Sequence, residues 1–371
     1  MPHRSFTATQ PGLGTGCGSP GSSRVAAVLA GRAGRARPST AVPAGHGRRL
    51  WRRGLAAVTM AGITVAAAAC TGHGGPAGTA GAKGPEKRDL VVAVVPAEAN
   101  AGLYIAQAKG LFTKVGLHVT IKPVVSAQAV IPAMLHGSVD VDGGGYVTYI
   151  LAQAKGIVRI RILAAGFALG PHVNEIIALS RANIQSPADL RGKTIAVNQM
   201  GSVASDLTYT ALAPYGITPD QVHLVAMPFP AMPGALAAGK IDAAYETEPF
   251  VTEAVKRYGV QAVTDLDGGA TQDFPLTGYA VLGSWAARYP RTAAAFTKAI
   301  EQGNAIAATN PAVLQQVLSA SLHLSPNITG VMATGTFPTS ANPVQIQRAA
   351  DLMLHYGQLK EPFDVTSLMG G

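Results

Sequence analysis

Four short segments of the chain carry the side chains and glycines that could bind a small solute. Each one follows an apolar run with strand character and precedes a run with helical character. In open α/β sheets, ligands bind at the carboxyl ends of the strands, where helix N-termini present free N–H groups. The candidates are Glu98 and Asn100 in the first segment, Gly144, Gly145 and Tyr146 in the second, Asn198, Gly201 and Ser202 in the third, and Tyr245, Glu246 and Glu248 in the fourth.

The chemistry of these segments suits a small polar molecule. Three consecutive glycines at 143–145 allow the backbone to approach a ligand closely. The amides and hydroxyl of the third segment could hold a carboxylate or a sulfonate, although Ser202 could equally be the cap of its own helix. Glu246 and Glu248 either contact the ligand or interact with the positive end of the helix that follows them. The sequence leaves both alternatives open.

Aromatic side chains supply the apolar walls of small-ligand sites. Tyr146 and Tyr245 stand at the ends of their segments and are the first candidates for this role. Phe274 is a further candidate, as is His172, because each lies near a point where the chain is expected to cross between two lobes.

The charges of the four segments bear on the ligand. None of the segments contains Lys or Arg, whereas together they contain Glu98, Asp142, Glu246 and Glu248. Acidic and tyrosine side chains favour a pyrimidine-like or amine-bearing ligand slightly over an anion. Helix N-termini and hydroxyls could still hold a sulfonate or a nitrate.

Strands and helices alternate along the chain in two similar blocks. In both blocks a predicted helix is followed by a glycine, a polar residue, a β-branched residue and an aspartate, in Gly137-Ser-Val-Asp140 and in Gly239-Lys-Ile-Asp242. The separation of these two motifs along the chain is too long for a solenoid repeat. It predicts two lobes of one α/β fold, each a mainly parallel sheet flanked by helices. We expect the first lobe to comprise residues 89–180 and 277–371, and the second to comprise residues 181–276.

The beginning of the chain resembles an export signal. The net charge of +9 equals the nine arginines of residues 1–53, which contain no acidic residue, so the remainder is neutral and does not predict a nucleic-acid partner. Residues 54–69 are uncharged and end in small residues before Cys70. We therefore expect a leader over 1–69, a lipid on Cys70 and a flexible tether over 70–88. The lipid would anchor the protein to the extracytoplasmic face of the cell membrane. Residues 1–45 are unusually long for the start of such a leader, so we expect them to be either disordered or the result of a translation start placed too far upstream. The route of export, Sec or twin-arginine, stays open.

Several motifs together resemble one family of importer binding proteins, those for alkanesulfonates, nitrate, taurine and thiamine pyrimidine precursors. The motifs are the two Gly-x-Val/Ile-Asp sequences above, Ala108-Lys-Gly-Leu-Phe112, Ser186-Pro-Ala-Asp-Leu-Arg-Gly-Lys-Thr-Ile195 and Thr309-Asn-Pro311. The resemblance covers about residues 90–356. It implies a two-lobed type II clamp of the periplasmic-binding kind that closes over a small ligand. It also implies the permease and ATPase subunits of an ABC importer as partners. We expect the protein to be a monomer.

Two other functions are compatible with such a fold. One is an enzyme of thiamine-pyrimidine metabolism, and the other is a receptor domain that reports the ligand to a signalling partner. The sequence contains no Gly-x-x-x-x-Gly-Lys-Ser/Thr loop for ATP and no His-x-x-x-His pair. We therefore expect a binding protein without a cofactor, a metal site or catalytic residues.

Overall fold

Ten β-strands form two five-stranded sheets in the computed structural model, which describes residues 84–125 and 129–370. The first sheet contains β1 (Asp89–Val94), β2 (His118–Pro123), β3 (Val141–Gly145), β4 (Ile160–Ala168) and β10 (Pro275–Leu282). The second sheet contains β5 (Asn174–Leu179), β6 (Thr194–Val197), β7 (His223–Ala226), β8 (Ala243–Thr247) and β9 (Val260–Asp265). We call the first sheet with its helices the first lobe, and the second sheet with its helices the second lobe.

The two sheets have the same topology. Their strand orders are β2-β1-β3-β10-β4 and β7-β6-β8-β5-β9. In each sheet four strands run in one direction, and the fourth strand in the order, β10 or β5, is antiparallel to both of its neighbours. The predicted pair of mainly parallel sheets is confirmed.

Twelve α-helices accompany the sheets in the described part of the chain. They are α1 (Ala101–Ala108), α2 (Leu111–Lys114), α3 (Val130–Leu135), α4 (Tyr146–Ala154), α5 (Val203–Leu212), α6 (Met232–Ala237), α7 (Phe250–Tyr258), α8 (Gly283–Arg288), α9 (Pro290–Thr309), α10 (Pro311–Leu322), α11 (Pro326–Thr329) and α12 (Pro343–His355). The long helix α9 packs against α1 and β4 of the first lobe. Helices α1 and α9 lie so close together that a Cβ on Gly303 of α9 would lie 2.1 Å from the carbonyl oxygen of Gly102 on α1.

The chain crosses between the lobes earlier than expected. We expected the chain to leave the first lobe at residue 180, but the run from Asn174 to Leu179 is strand β5 of the second sheet, so the crossing lies between Ala168 and Asn174. The second crossing lies between Asp265 and Pro275. The apolar run of β5 is long enough for a strand in either sheet, and only its pairing with β8 and β9 assigns it to the second lobe.

The repeated Gly-x-Val/Ile-Asp motif has the same role in both lobes. Gly137 and Gly239 follow α3 and α6 with positive φ angles of 72° and 65°, which glycine adopts without strain. The carboxylate of Asp140 accepts a hydrogen bond from the backbone N–H of Val91 on β1 at 3.0 Å. In the second lobe the carboxylate of Asp242 accepts one from the N–H of Thr194 on β6 at 2.8 Å. Each aspartate therefore joins its own strand to the neighbouring parallel strand.

The expected leader, Cys70 with its expected lipid, and most of the expected tether lie outside the described residues. Within residues 84–125 and 129–370, no helix has the length and apolar character required to cross a membrane.

Candidate functional site

A cavity lies between the two sheets, at the edge where the parallel strands of both lobes end. Its volume is about 120 Å³, below the roughly 300–1,000 Å³ of pockets that hold drug-sized ligands. In the first lobe its wall consists of the residues after β1 and β2, the end of β3, the start of α4 and part of β10. In the second lobe it consists of the residues after β6 and β7 together with parts of β5, α5 and β8. The position and volume of the cavity suit a small solute held between the lobes.

The wall is partly apolar and partly polar. Its apolar residues and glycines are Val95, Ala97, Ala99, Val124, Gly143, Gly144, Gly145, Val147, Val203, Phe229 and Leu276. Its residues with polar side chains are Asn100, Asp142, Thr148, Asn174, Asn198, Gln199, Ser202, Tyr245, Thr247 and Thr277. Among the described residues that line the cavity, Asp142 is the one with an ionisable carboxyl group, and none is Lys, Arg or His.

Asp142 lies in the buried strand β3 and is 1% exposed. Its Oδ2 atom is buried and has no hydrogen-bond partner. Burial raises the pKa of Asp142 to about 7, and the nearby hydroxyl of Tyr149 offsets part of that increase. A Cβ on Gly144 would lie 2.8 Å from Oδ2, so the absence of a side chain at Gly144 leaves room for this carboxyl group.

The backbone around Asp142 is held by Tyr149, a fully buried residue of α4. The hydroxyl of Tyr149 accepts a hydrogen bond from the N–H of Gly144 at 2.7 Å and lies 2.9 Å from the carbonyl oxygen of Asp142. It also lies 3.0 Å from the carbonyl oxygen of Gly278 on β10. Because these contacts join β3, α4 and β10, they place the Asp142 carboxyl group on a rigid part of the lobe.

The third predicted segment contributes Asn198, Gln199 and Ser202 to the cavity wall. Asn198 Oδ1 is buried and has no hydrogen-bond partner. The hydroxyl of Ser202 donates to the carbonyl oxygen of Gln199 at 2.7 Å, and the side chain makes no capping bond to α5. Ser202 therefore occupies the N-cap position of α5 without capping the helix through its side chain, and its contact with a ligand stays a prediction. Gly201 has a φ angle of 63° and forms the turn before α5, but it does not line the cavity.

Three side chains of the second lobe hydrogen-bond to one another in the wall. Asn174 Nδ2 donates to the hydroxyl of Tyr245, and Asn174 Oδ1 accepts from the hydroxyl of Thr247 at 3.1 Å. Asn100 in the first lobe is held in a similar way, because it donates to the carbonyl oxygen of Val95 at 3.0 Å. One amide N–H of Asn174 and one of Asn100 are thus engaged within the protein.

The three predicted glutamates do not line the cavity. Glu246 alternates along β8 with Tyr245 and Thr247, which do line it, so its side chain points to the opposite face of the sheet. Glu98 is 1% exposed and is not among the residues that line the cavity. Glu248 accepts hydrogen bonds from Thr252 and from the N–H of Ala333. Burial raises the pKa of all three carboxyl groups, and for Glu98 the charge of Glu248 raises it further.

The remaining predicted residues also have places outside the wall. Tyr146 packs its ring over Gly278, where a Cβ would lie 2.6 Å from it. His172 is exposed and its Nδ1 lies 3.0 Å from Glu175 Oε1, an interaction that raises the pKa of His172. Phe274 is buried at the second crossing beneath the guanidinium group of Arg348, at 5.4 Å.

Six predicted residues therefore meet in the cavity wall, and others there were not predicted. The six are Asn100, Gly144, Gly145, Asn198, Ser202 and Tyr245. Phe229 follows the parallel strand β7, so the rule that ligands bind at strand ends could have found it. Asn174 starts an antiparallel strand and Thr277 lies within one, and no sequence rule places such residues at this edge.

The sequence profile of the family described as "NMT1/THI5 like" matches residues 98–313, more than half of the chain. The chain belongs to this family. The predicted resemblance to importer binding proteins of this kind is confirmed.

Curated relatives of this NMT1/THI5-like chain align with it in part. A putative thiamine biosynthesis protein of Haemophilus influenzae is 28% identical over 182 residues, which are 45% of this chain and 56% of that protein. The taurine-binding periplasmic protein of Escherichia coli is 30% identical over 196 residues, which are 52% of this chain and 59% of that protein. The chain thus spans little more than half the length of these two curated relatives.

Solved structures share the fold of this family member at low sequence identity. The periplasmic nitrate-binding protein NrtA from Synechocystis PCC 6803 has a TM-score of 0.68 at 15% identity, covering 77% of this chain and 86% of that one. The alkanesulfonate-binding protein SsuA from Xanthomonas axonopodis, bound to MOPS, has a TM-score of 0.64 at 20% identity, covering 76% and 98%. The desulfurization enzyme DSZB has a TM-score of 0.59 at 16% identity, covering 76% and 96%. The two-lobed fold is therefore shared by binding proteins and by an enzyme.

Proposed function

We propose that this protein is the extracytoplasmic solute-binding component of an ABC importer. The observation that carries the proposal is the cavity between the sheets, whose wall takes residues from both lobes. A solute that fills such a cavity contacts both lobes at once and therefore stabilises the closed arrangement over the open one. Membership of the NMT1/THI5-like family and the similarity to a taurine-binding periplasmic protein support this function.

The partners and the location follow from the same proposal. A binding component delivers its solute to permease subunits, and a separate ATPase supplies the energy. Similarity over 66% of this chain to a bicarbonate transport ATP-binding protein of Synechocystis supports a place in such a system, although the aligned part is 39% of that protein. We further propose export, attachment to the membrane through a lipid on Cys70, and a monomeric binding domain.

The wall of the cavity favours binding over catalysis. Its polar side chains are amides, hydroxyls and one carboxyl group, and it contains no pair of groups arranged as nucleophile and base. In the described part of the chain, no three His, Cys, Asp or Glu residues are grouped as a metal site. The names of the relatives mention taurine, nitrate, alkanesulfonate, bicarbonate and thiamine biosynthesis, so they leave both anionic and nitrogen-bearing solutes open.

The test is to identify what the purified protein carries. The full chain is expressed with its own leader, purified and denatured, and the small molecules released are analysed by mass spectrometry. We expect one compound in near-stoichiometric amount from the wild type. Conversion of this compound into a product during incubation with the native protein would favour the enzyme alternative.

Gly145→Leu provides a variant in which the cavity is filled. Gly145 lines the cavity, has a φ angle of −77° that suits any residue, and would place a Cβ no closer than 3.7 Å to Leu276. The matched control is Gly234→Leu in α6, where a Cβ meets nothing within 4 Å. We expect the first variant to release no compound and the control to release as much as the wild type. Equal release from both variants would show that the compound binds elsewhere and would contradict the proposal.

A further inference from the structure

A second, larger cavity is lined by residues of the first lobe alone. Its volume is about 1180 Å³. Its wall consists of the start of β4, most of α8, the first half of α9, and two residues that follow α12 at positions 367 and 370. The charged residues of this wall are Arg159, Arg161, Lys298 and Glu301. We call this cavity the basic groove.

We propose that the basic groove binds the anionic headgroups of the membrane to which the protein is attached, through Arg159, Arg161 and Lys298. The inference rests on the attachment through Cys70 given under the proposed function, and it adds a second contact with the same membrane. Three observations carry it: the cations of the groove are unpaired, the groove lies opposite to the cavity between the sheets, and the chain leaves toward Cys70 beside it.

The three cations of the groove have no acidic partner within residues 84–125 and 129–370. Arg159, Arg161 and Lys298 form no ion pair there, although Glu301 lines the same wall. Arg291, close to the groove, is by contrast paired with Glu86 at 3.4 Å. The charges of the three groove cations are therefore available to an anion from outside the chain.

The basic groove and the cavity between the sheets lie at opposite edges of the first sheet. Strand β4 runs parallel to β1 and β3, so its start lies at the amino ends of these strands. The cavity between the sheets lies at their carboxyl ends. The nine residues of β4 span about 30 Å at about 3.3 Å per residue. A membrane bound at the groove would therefore leave the solute cavity on the side that faces away from the membrane.

The chain leaves the first lobe toward Cys70 beside the basic groove. Glu86 accepts a hydrogen bond from the N–H of Thr292 at 2.9 Å, and Thr292 lies in the first turn of α9, which also contributes to the groove wall. Between Cys70 and Gly84 the sequence has residues 71–83. This stretch can span at most about 50 Å. A lipid on Cys70 would therefore keep the groove within reach of the membrane surface.

The charge of the groove sets the size of the expected effect. Each Lys or Arg close to an anionic membrane surface favours binding about fivefold. The wall contains three cations and one acidic residue, a net charge of +2. This charge should favour the membrane-bound arrangement about thirtyfold on an anionic surface over a neutral one. Because salt screens such attraction over about 10 Å at 0.1 M, the preference should disappear at high ionic strength.

The experiment measures energy transfer from Trp285 to a dansyl-labelled lipid headgroup. Trp285 lies in α8, beside the groove, and its indole N–H donates to Asp140 at 2.9 Å, which fixes the position of the ring. The change Trp51→Phe leaves Trp285 as the one tryptophan of the chain. The full chain is expressed with this change, purified from membranes and incorporated into vesicles of phosphatidylcholine, with or without phosphatidylglycerol. We expect stronger transfer on the anionic vesicles, and no difference in 0.5 M salt.

A triple variant removes the cations of the groove: Arg159→Gln, Arg161→Gln and Lys298→Gln. We expect it to lose the difference in transfer between the two kinds of vesicle. The matched control removes three exposed cations outside the groove and should keep the difference: Lys122→Gln, Lys240→Gln and Arg257→Gln. The effect of salt on the unsubstituted groove requires no change in it, so it tests the inference even if the triple variant folds poorly.

The outcomes separate this inference from the proposed attachment. Equal transfer on both kinds of vesicle, or an unchanged difference in the triple variant, overturns the inference and leaves the attachment intact. Failure of the protein to associate with either kind of vesicle overturns both. Calorimetric binding of polyglutamate that the triple variant loses, without any preference for anionic vesicles, would assign the groove to an acidic protein segment and overturn the membrane contact.

Discussion

We expect the contact between Asp206 and Gln358 to make the stability of this protein depend on pH. Asp206 lies on α5 of the second lobe, and Gln358 follows α12, which packs against the first lobe. The Gln358 amide donates to Asp206 Oδ1, while Asp206 Oδ2 and Gln358 Oε1 are both buried without a partner. A protonated Asp206 could donate from Oδ2 to Oε1, so both unpaired atoms would be satisfied. Burial raises the pKa of Asp206 to about 7.

The sign of the effect follows from this raised pKa. In the unfolded chain the carboxyl group ionises near its usual pKa of 3.8, whereas in the folded protein it stays protonated up to about pH 7. The stability that it contributes is therefore fully present below pH 3.8 and is lost as the pH rises through 7. Between pH 5 and pH 7 each pH unit removes about 1.4 kcal/mol, which gives a loss of about 3 kcal/mol from this one group.

The variant Asp206→Asn isolates the contribution of this group. Asparagine cannot ionise, and its amide can pair with Gln358 as the protonated acid does. We expect the free energy of unfolding of the wild type to fall by about 3 kcal/mol more than that of the variant between pH 5 and pH 8. Denaturant titrations of the ligand-free proteins at both pH values measure this difference. Other buried carboxyl groups, such as Asp142, titrate in both proteins and cancel.

The control variant is Asp220→Asn. The Asp220 carboxylate is exposed and its pKa is lowered by the hydroxyl of Thr218, so it is ionised at both pH values in the folded and unfolded states. This variant should follow the wild type. If Asp206→Asn also followed the wild type within about 0.5 kcal/mol, Asp206 would be ionised in the folded protein at pH 5 and the reasoning from its burial would be refuted.

Three further changes test other parts of the chain. Gly303→Ala would place a Cβ 2.1 Å from the carbonyl oxygen of Gly102, so α1 and α9 must separate. We expect the free energy of unfolding to fall by about 3 kcal/mol in denaturant titrations, and an unchanged midpoint would contradict the packing. Asp242→Ala removes the acceptor of the Thr194 N–H, which should cost about 2 kcal/mol and speed hydrogen exchange of that amide; full protection in the variant would exclude the role given to the aspartate. Cys70→Ser should move the exported protein from the membrane fraction to the soluble fraction, and a protein still bound to membranes would require another anchor.

Sequence reasoning predicted the elements better than it predicted the orientation of side chains. The rule that ligands bind at strand ends placed Asn100, Asn198 and Tyr245 correctly on the cavity wall. The same rule could not choose between Tyr245 and its neighbour Glu246, since alternation along a strand says only that the two face opposite sides. Which side meets the cavity depends on how the sheet packs against the other lobe.

The amino-acid sequence by itself determined that this chain forms two similar α/β lobes, because the apolar runs, the glycines after helices and the two aspartate motifs are local signals. Tertiary structure alone decided that β5 belongs to the second sheet, because an apolar run can pair in either lobe. It also decided that Asp142, and none of the three glutamates predicted as site residues, lines the cavity. Burial and the pairing of donors with acceptors depend on contacts between residues far apart in the chain, and these contacts exist only in the folded protein.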